Sequence, residues 1–398
     1  MDVLRRYPVF RRLWLARVVS FLGDSLGLVA LILFVTEETD SGAAVGLLLL
    51  AGDFTPSLLS PVLGAIADRT DGRRTMIVCE LGQAGVVTAI VALTPSVPVV
   101  LVLVALRSLL AATFQAASRS AVADLVDDAD LEVANSMIGF GTHGLEAIGP
   151  LVAAGLLLVL DPLDVLAVDA VTFLVSPLLL VGLPPLAVTL EPSNLVADVR
   201  DGIGAVWRLP LVRTITVGFW TMAVFTAVDD VALPFLGTDT FDADDSAVGL
   251  LYAAGGVGVI VGFALLTRRR PRAFTIAVAG LVVSCLGNAL TGIAPVLWLA
   301  IAMQGVRGVG NAWVGVGTDT VIQRETPPHL RGRVFANVYG GVGLAAGVSY
   351  VAGGAVVDAL GPRVALTGGS IAGVACAAIA GWVSASRTTP TAPSPTAP

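Results

Sequence analysis

Ten charged side chains stand inside long apolar runs: Asp24, Asp53, Glu80, Arg107, Glu146, Asp169, Asp229, Asp230 and Arg307, with Arg17 nearer the end of its run. A charge at the centre of a bilayer costs at least ~2.5–3.5 kcal/mol, so each one that persists needs a partner or a task. The carboxyls can bind and release protons, and the guanidiniums can hold the carboxylates in place. Asp24, between Gly23 and Ser25 in mid-run, reads as a protonatable site or a cation contact. The alternative is a neutral Asp bonded to a neighbouring helix. Glu146 lies three residues after His143, so the two share a helix face. Imidazole titrates near neutral pH, and the pair could pass a proton or simply form a packing hydrogen bond. Asp229 and Asp230 are adjacent, so they point to different helix faces and only one of them is expected to face the cavity. The sequence leaves open which. Arg107 and Arg307 are expected to face inward and pair with these acids or with backbone. Asp53, Glu80 and Asp169 read as caps or packing contacts. Phe21, Phe114, Phe140, Trp220, Phe225, Tyr252, Trp313 and Tyr339 are candidates to line a cavity and stack on a bulky amphipathic molecule.

The elements that carry these residues follow from composition. The 398-residue chain is 56% hydrophobic and 13% charged, against roughly 25% charged in an ordinary soluble domain. A soluble fold could not hide that much apolar surface, whereas lipid needs no polar outer face. Runs long enough to cross a bilayer fall roughly at 13–36, 44–66, 75–94, 97–118, 133–159 and 163–183. A second set falls roughly at 211–236, 246–267, 273–293, 295–318, 333–357 and 362–385. The reading is an all-α integral membrane protein of twelve helices in two six-helix bundles, residues 1–183 and 211–385. Residues 184–210 form a polar linker whose amphipathic part, 195–208, predicts a surface helix. Residues 386–398 are Thr, Pro, Ala and Ser after Arg387 and predict a disordered tail. The basic stretch Met1–Arg12 with its long apolar continuation reads as the start of the first membrane helix rather than a cleaved leader. Cys79, Cys285 and Cys376 lie far apart in apolar runs and form neither a CxxC pair nor a ligand cluster.

Orientation and symmetry are also written in the chain. Its positive charge is all arginine, clustered before the first span and after the second, fourth, eighth, tenth and twelfth, and in the linker. The opposite loops carry Glu37, Glu38, Asp40, Asp161, Asp164, Asp239, Asp242, Asp244 and Asp245, and Arg363 alone departs from the pattern. This alternation predicts a multi-pass protein of the cell membrane with both termini in the cytoplasm. Arg107 and Arg307 stand 200 residues apart (307 − 107), and Asn135 and Asn337 stand 202 apart (337 − 135) in similar surroundings. A repeat of that period predicts two parallel copies of a six-helix unit.

Between the second and third spans the chain reads Gly64-Ala-Ile-Ala-Asp68-Arg69-Thr-Asp71-Gly72-Arg73-Arg74. This resembles the signature loop of the major facilitator superfamily. The physics of the loop agrees: Gly64 allows close helix approach, Gly72 permits a tight turn, and Arg73 and Arg74 hold the loop at an anionic membrane face. The resemblance implies that Asp68 and Arg69 form a charge relay that locks the outward-facing state. The corresponding loop of the second half, Thr267–Arg272, keeps the charge without the Asp and Gly pattern. Arg107 occupies the position of the family's fourth-helix arginine, linked to proton transfer, although Ala111 stands where that motif has Gly. Gly141, Gly144 and Gly149-Pro150, followed by Ala153-Ala154, resemble the antiporter motif, with Ala for Gly twice and Leu145 out of pattern. The openings Phe10–Trp14 and Val19–Asp24, and the stretch Thr326–Phe335, are similar to the macrolide-efflux and enterobactin-exporter branch. That likeness spans essentially the whole chain.

No GxxxxGK[ST] loop, HExxH or GxSxG is present, and the chain has no lysine. An ATP-driven pump, a metal site, an enzyme and a nucleic-acid module are therefore not expected, and no cofactor is. The expected function is secondary active transport by alternating access: proton-coupled export of a small amphipathic or drug-like molecule by a monomer. A dedicated exporter of a metabolite such as a siderophore, or a lysolipid transporter, is the alternative within transport. A transport-inactive sensor or scaffold is the alternative of another class.

Overall fold

The computed structural model describes residues 2–68, 70–127, 130–186, 195–266, 272–327 and 330–387. Arg69 lies outside the described residues, and within the helices so do the side chains of Gly64, Asp68, Phe140, Gly141, His143 and Glu146. The tail expected from 386 lies outside them beyond Arg387.

The first half begins with a short helix α1 (Asp2–Arg6), followed by α2 (Pro8–Thr39), α3 (Gly42–Asp68), α4 (Gly72–Leu93), α5 (Val97–Leu125), α6 (Leu131–Leu156) and α7 (Pro162–Leu180). After α8 (Leu195–Arg208) come α9 (Pro210–Thr226), α10 (Asp229–Phe235), α11 (Asp245–Leu266), α12 (Ala273–Ile293), α13 (Leu297–Glu325), α14 (Arg331–Leu360) and α15 (Pro362–Arg387). Prolines open α2, α7, α9 and α15, where a missing N–H costs nothing. Among the described residues eight helices are long and apolar enough to cross a membrane, and no strand occurs. Lipid-facing positions such as Val78, Val102, Leu178 and Trp298 are more than 60% exposed. That is the inverse of a soluble surface and fits a hydrocarbon solvent.

In the first half α2 packs on α6 and α7, α4 on α5 and α7, and α3 on α5. In the second, α13 packs on α11 and α12, and α15 on α9 and α12. Among the described residues the halves meet mainly through α3 with α14 and α6 with α11, and α10 also touches α2 and α3. Both joints depend on glycine. A side chain at Gly46 would strike the Tyr350 carbonyl, and one at Gly249 would strike Ala154 of α6. Small residues thus bring backbones together where lipid supplies no hydrophobic drive. At one end of the α3–α14 joint, Asp358 accepts hydrogen bonds from the Gly42 N–H, the Ala43 N–H at 3.1 Å and the Ser41 hydroxyl at 3.2 Å. A carboxylate at a helix N-terminus meets partial positive charge. This is the end that carries the acidic loops.

The sequence predicts one continuous helix over 211–236. The structure breaks it: Ala227 and Val228 form a turn between α9 and α10, and a π-helical turn at Leu236–Thr240 ends the segment. The cause is local. Asn288 donates to the Thr226 carbonyl at 3.2 Å, diverting it from the helix ladder. Pro234 has no N–H, so it releases the carbonyl of Asp230 four residues earlier. The Tyr252 hydroxyl donates to that carbonyl at 2.6 Å.

Gly72 also departs from expectation. It is the first residue of α4, buried beside Leu186, and among the described residues only Gly361 is a glycine with positive φ. Gly72 is there for packing, and the turn is held by Asp71. The Asp71 carboxylate caps α4 by accepting from the Arg73 N–H at 3.0 Å, and it also accepts from the Leu186 N–H at 3.2 Å. Arg74 lies 3.8 Å from the same carboxylate and is exposed.

Candidate functional site

A cavity of about 800 Å³ opens beside α2, α3 and α5. Its wall combines Phe21, Leu28, Leu48 and Tyr339 with Asp24, Asp53, Arg107, Gln115 and Arg119. It extends toward the end where Arg119 lies, opposite the Asp358 joint. Apolar walls with a few charged groups suit an amphipathic ligand.

Three helices bring a charge cluster to this wall. Arg107 of α5 pairs with Asp24 of α2 and lies 3.6 Å from Asp169 of α7. Its guanidinium also sits 5.4 Å from the centre of the Phe173 ring, a cation–π distance. Asp169 is fully buried, and among the described residues neither carboxyl oxygen has a hydrogen-bond partner. It fits because Gly23 and Gly27 of α2 leave room, since a side chain at either would meet its carboxyl. Behind the cluster, Glu80 of α4 is fully buried and accepts from the Ser20 hydroxyl at 2.8 Å. Arg17 donates to Ser118. Asp169 and Glu80, expected as caps or packing contacts, thus join the charged centre.

The second half carries a related but thinner cluster. Arg307 of α13 pairs with Asp229 of α10, which is fully buried. The adjacent acids diverge: Asp229 turns to Arg307, while Asp230 turns to the Tyr350 hydroxyl at 3.3 Å, and neither is in the described lining of the cavity. Asp230 also acts on Arg307 electrostatically, and a set of neutral polar groups lies on α12 and α13 nearby. Gln304 donates to Asn288 and to Thr291, each at 3.2 Å, and Asn288 donates to the Thr226 carbonyl.

The aromatic candidates divide. Phe21 and Tyr339 line the cavity. Trp220 donates to the Val338 carbonyl at 2.8 Å and packs where a side chain on Gly341 would clash. Trp313 donates to the Gly262 carbonyl at 3.1 Å, Tyr252 is bonded to Asp230, and Phe225 packs against Gly369 and Gly373. These four, and Arg307, fall outside the described lining of this cavity, where they hold helices together. Phe114 is buried in the core of the first half. Gly149, next to Pro150 inside α6, faces Ser25 of α2, so the small residue permits the α2–α6 contact. Tyr350 was not distinguishable by sequence, because a lone tyrosine in an apolar run reads as packing. Among the described residues no group of acids, histidines or cysteines is arranged to hold a metal.

Residues 13–316 and 231–398 match, in two overlapping stretches, the family model of the Major Facilitator Superfamily. The chain is similar to the multidrug efflux pump Tap of Mycolicibacterium fortuitum, 26% identical over 91% of this chain and 92% of that one. It is similar also to the macrolide efflux protein A of Streptococcus pyogenes, 22% identical over 82% and 84%. The crystal structure of the nucleoside transporter NupG superposes with a TM-score of 0.71 at 13% identity, covering 95% of this chain and 98% of that one.

Proposed function

The chain belongs to the Major Facilitator Superfamily, and on that premise we propose that it exports a small amphipathic or drug-like molecule in exchange for protons. The observation that carries this reading is the Asp24–Arg107–Asp169 cluster in the cavity wall. Asp24 faces both the cavity and Arg107. A proton on Asp24 removes its pull on Arg107, which is left to Asp169. Loss of that proton restores the pair. Protonation at Asp24 and occupancy of the cavity therefore act on the same wall, which is the physical requirement for exchange. The similarity to efflux pumps supports export.

In this reading the bundles 1–183 and 211–385 rock about the cavity, joined by the linker 184–210. The arginine-rich loops and both termini lie in the cytoplasm of a cell-membrane protein, so the cavity opens inward. Asp68 and Arg69, with Arg73 and Arg74 beside them, act as the conformational lock. Glu146 and the Gly141–Pro150 segment serve the coupling and the α6 contacts. The transporter works as a monomer on protons and its small-molecule substrate. The test is substrate-driven proton movement in proteoliposomes, expected in the native protein and absent in Asp24→Asn. Equal proton movement in both overturns the assignment.

A further inference from the structure

One phenol touches two carboxyls across the joint between the halves. Tyr350 of α14 is 5% exposed, and its hydroxyl lies 3.1 Å from Asp53 of α3 and 3.3 Å from Asp230 of α10. A phenol carries a single proton. It can donate to one carboxylate. The second contact is a hydrogen bond only when the other carboxyl brings its own proton and donates it to the phenol oxygen. The surrounding charge argues the same way. Facing this group are Asp229 of α10, Arg307 of α13 and the Tyr252 hydroxyl of α11. Asp229 and Asp230 both ionised beside one guanidinium would leave an uncompensated negative charge in an apolar interior, which is costly. One added proton removes it.

We propose that Asp53, Tyr350 and Asp230 form a proton-binding bridge that closes the joint between the halves at the acidic-loop end while it holds a proton. The bridge sits where the joint is tightest. Gly46 lies against the Tyr350 carbonyl, and Gly354 lies against the Gly42 backbone one turn further on. Bridge and backbone contact therefore form or part together. Asp53 is exposed on the cavity, which gives the proton a route. When the proton leaves, two carboxylates share one O–H, and the one left without it faces its neighbour as a like charge. The α3–α14 joint then opens. The bridge accordingly links closure of one gate to proton occupancy at a site separate from Asp24. Its use in transport rests on the proton-exchange reading above, whereas its existence does not.

The experiment uses the full chain in lipid nanodiscs. Spin labels are placed at Glu38→Cys on α2 and Leu360→Cys on α14, both exposed at the acidic-loop end, in a background without the native cysteines. The label–label distance is read against pH without substrate. The bridge predicts a closed population at low pH that gives way to an open one as pH rises. Asp53→Asn, a neutral mimic that cannot titrate, stays closed throughout. Tyr350→Phe keeps the ring that packs the joint, and its closed-to-open ratio at low pH falls about tenfold, the value of one such hydrogen bond. Titration of both variants like the native protein overturns the bridge. Proton flux is read on the same samples in liposomes. A native protein that moves no protons, but whose joint titrates and responds to both variants, sinks the exchange reading and leaves the bridge standing. Coupled flux with an unresponsive joint does the reverse.

Discussion

The two halves share an arginine on the same helix of each repeat, but they surround it differently. Arg107 meets two acids from two helices, one on the cavity wall and one buried, with Glu80 behind them. Arg307 pairs with the buried Asp229 and feels the adjacent Asp230 of the same helix, while Gln304, Asn288 and Thr291 bond to one another on α12 and α13. A guanidinium shared between two carboxyls can change allegiance when one of them gains a proton. A guanidinium whose two acids stand next to each other on one helix has less freedom to change partner. In the proposed reading Arg107 is therefore the arginine that changes partner and Arg307 the one that stays with its helix, although both stand on one repeated pattern.

The largest way to break this comparison is to remove the shared guanidinium. Arg107→Met leaves Asp24 and Asp169 facing each other without compensation, and the expected loss is about 3–5 kcal/mol of stability together with all transport. Thermal unfolding in detergent and flux in liposomes measure the two. Next comes the joint. Gly46→Val forces a side chain onto the Tyr350 carbonyl, so it destabilises the present closed arrangement by about 1–3 kcal/mol, read as a longer label–label distance at the acidic-loop end. Asn288→Ala probes the neutral network of the second half. It strips Gln304 and the Thr226 carbonyl of a partner and should cost about 1–3 kcal/mol while flux per folded molecule stays near native. A folded Asn288→Ala protein without flux would erase the proposed division of labour. The smallest effect is expected for Trp220→Phe, which gives up the bond to Val338, about 1 kcal/mol, with flux retained. That result would separate the aromatic struts from Phe21 and Tyr339 on the cavity.

What was legible in the chain was whatever depends on local pattern. Apolar run length located the helices, although it placed the first span from 13 where the helix begins at Pro8. The repeat linked Arg107 with Arg307 before any contact was known. What was not legible depends on partners far away in sequence. Asp169 looked like a cap because its host site is made by Gly23 and Gly27 on another helix. Tyr350 finds Asp53 across a separation of 297 residues. The break after Thr226 follows from Asn288 and Tyr252 taking up carbonyls, so the apolar run gave no sign of it. Pro234, four residues after Asp230, was the one local hint.

The most direct test of proton exchange at Asp24 uses proteoliposomes with an imposed proton gradient and a pH dye inside, challenged in turn with amphipathic drugs, siderophores and lysolipids. The account predicts substrate-dependent proton movement in the native protein, with amphipathic drugs the most effective, and none in a folded Asp24→Asn variant. Proton movement of equal size in Asp24→Asn, or substrate flux in the native protein without any proton movement, would contradict it.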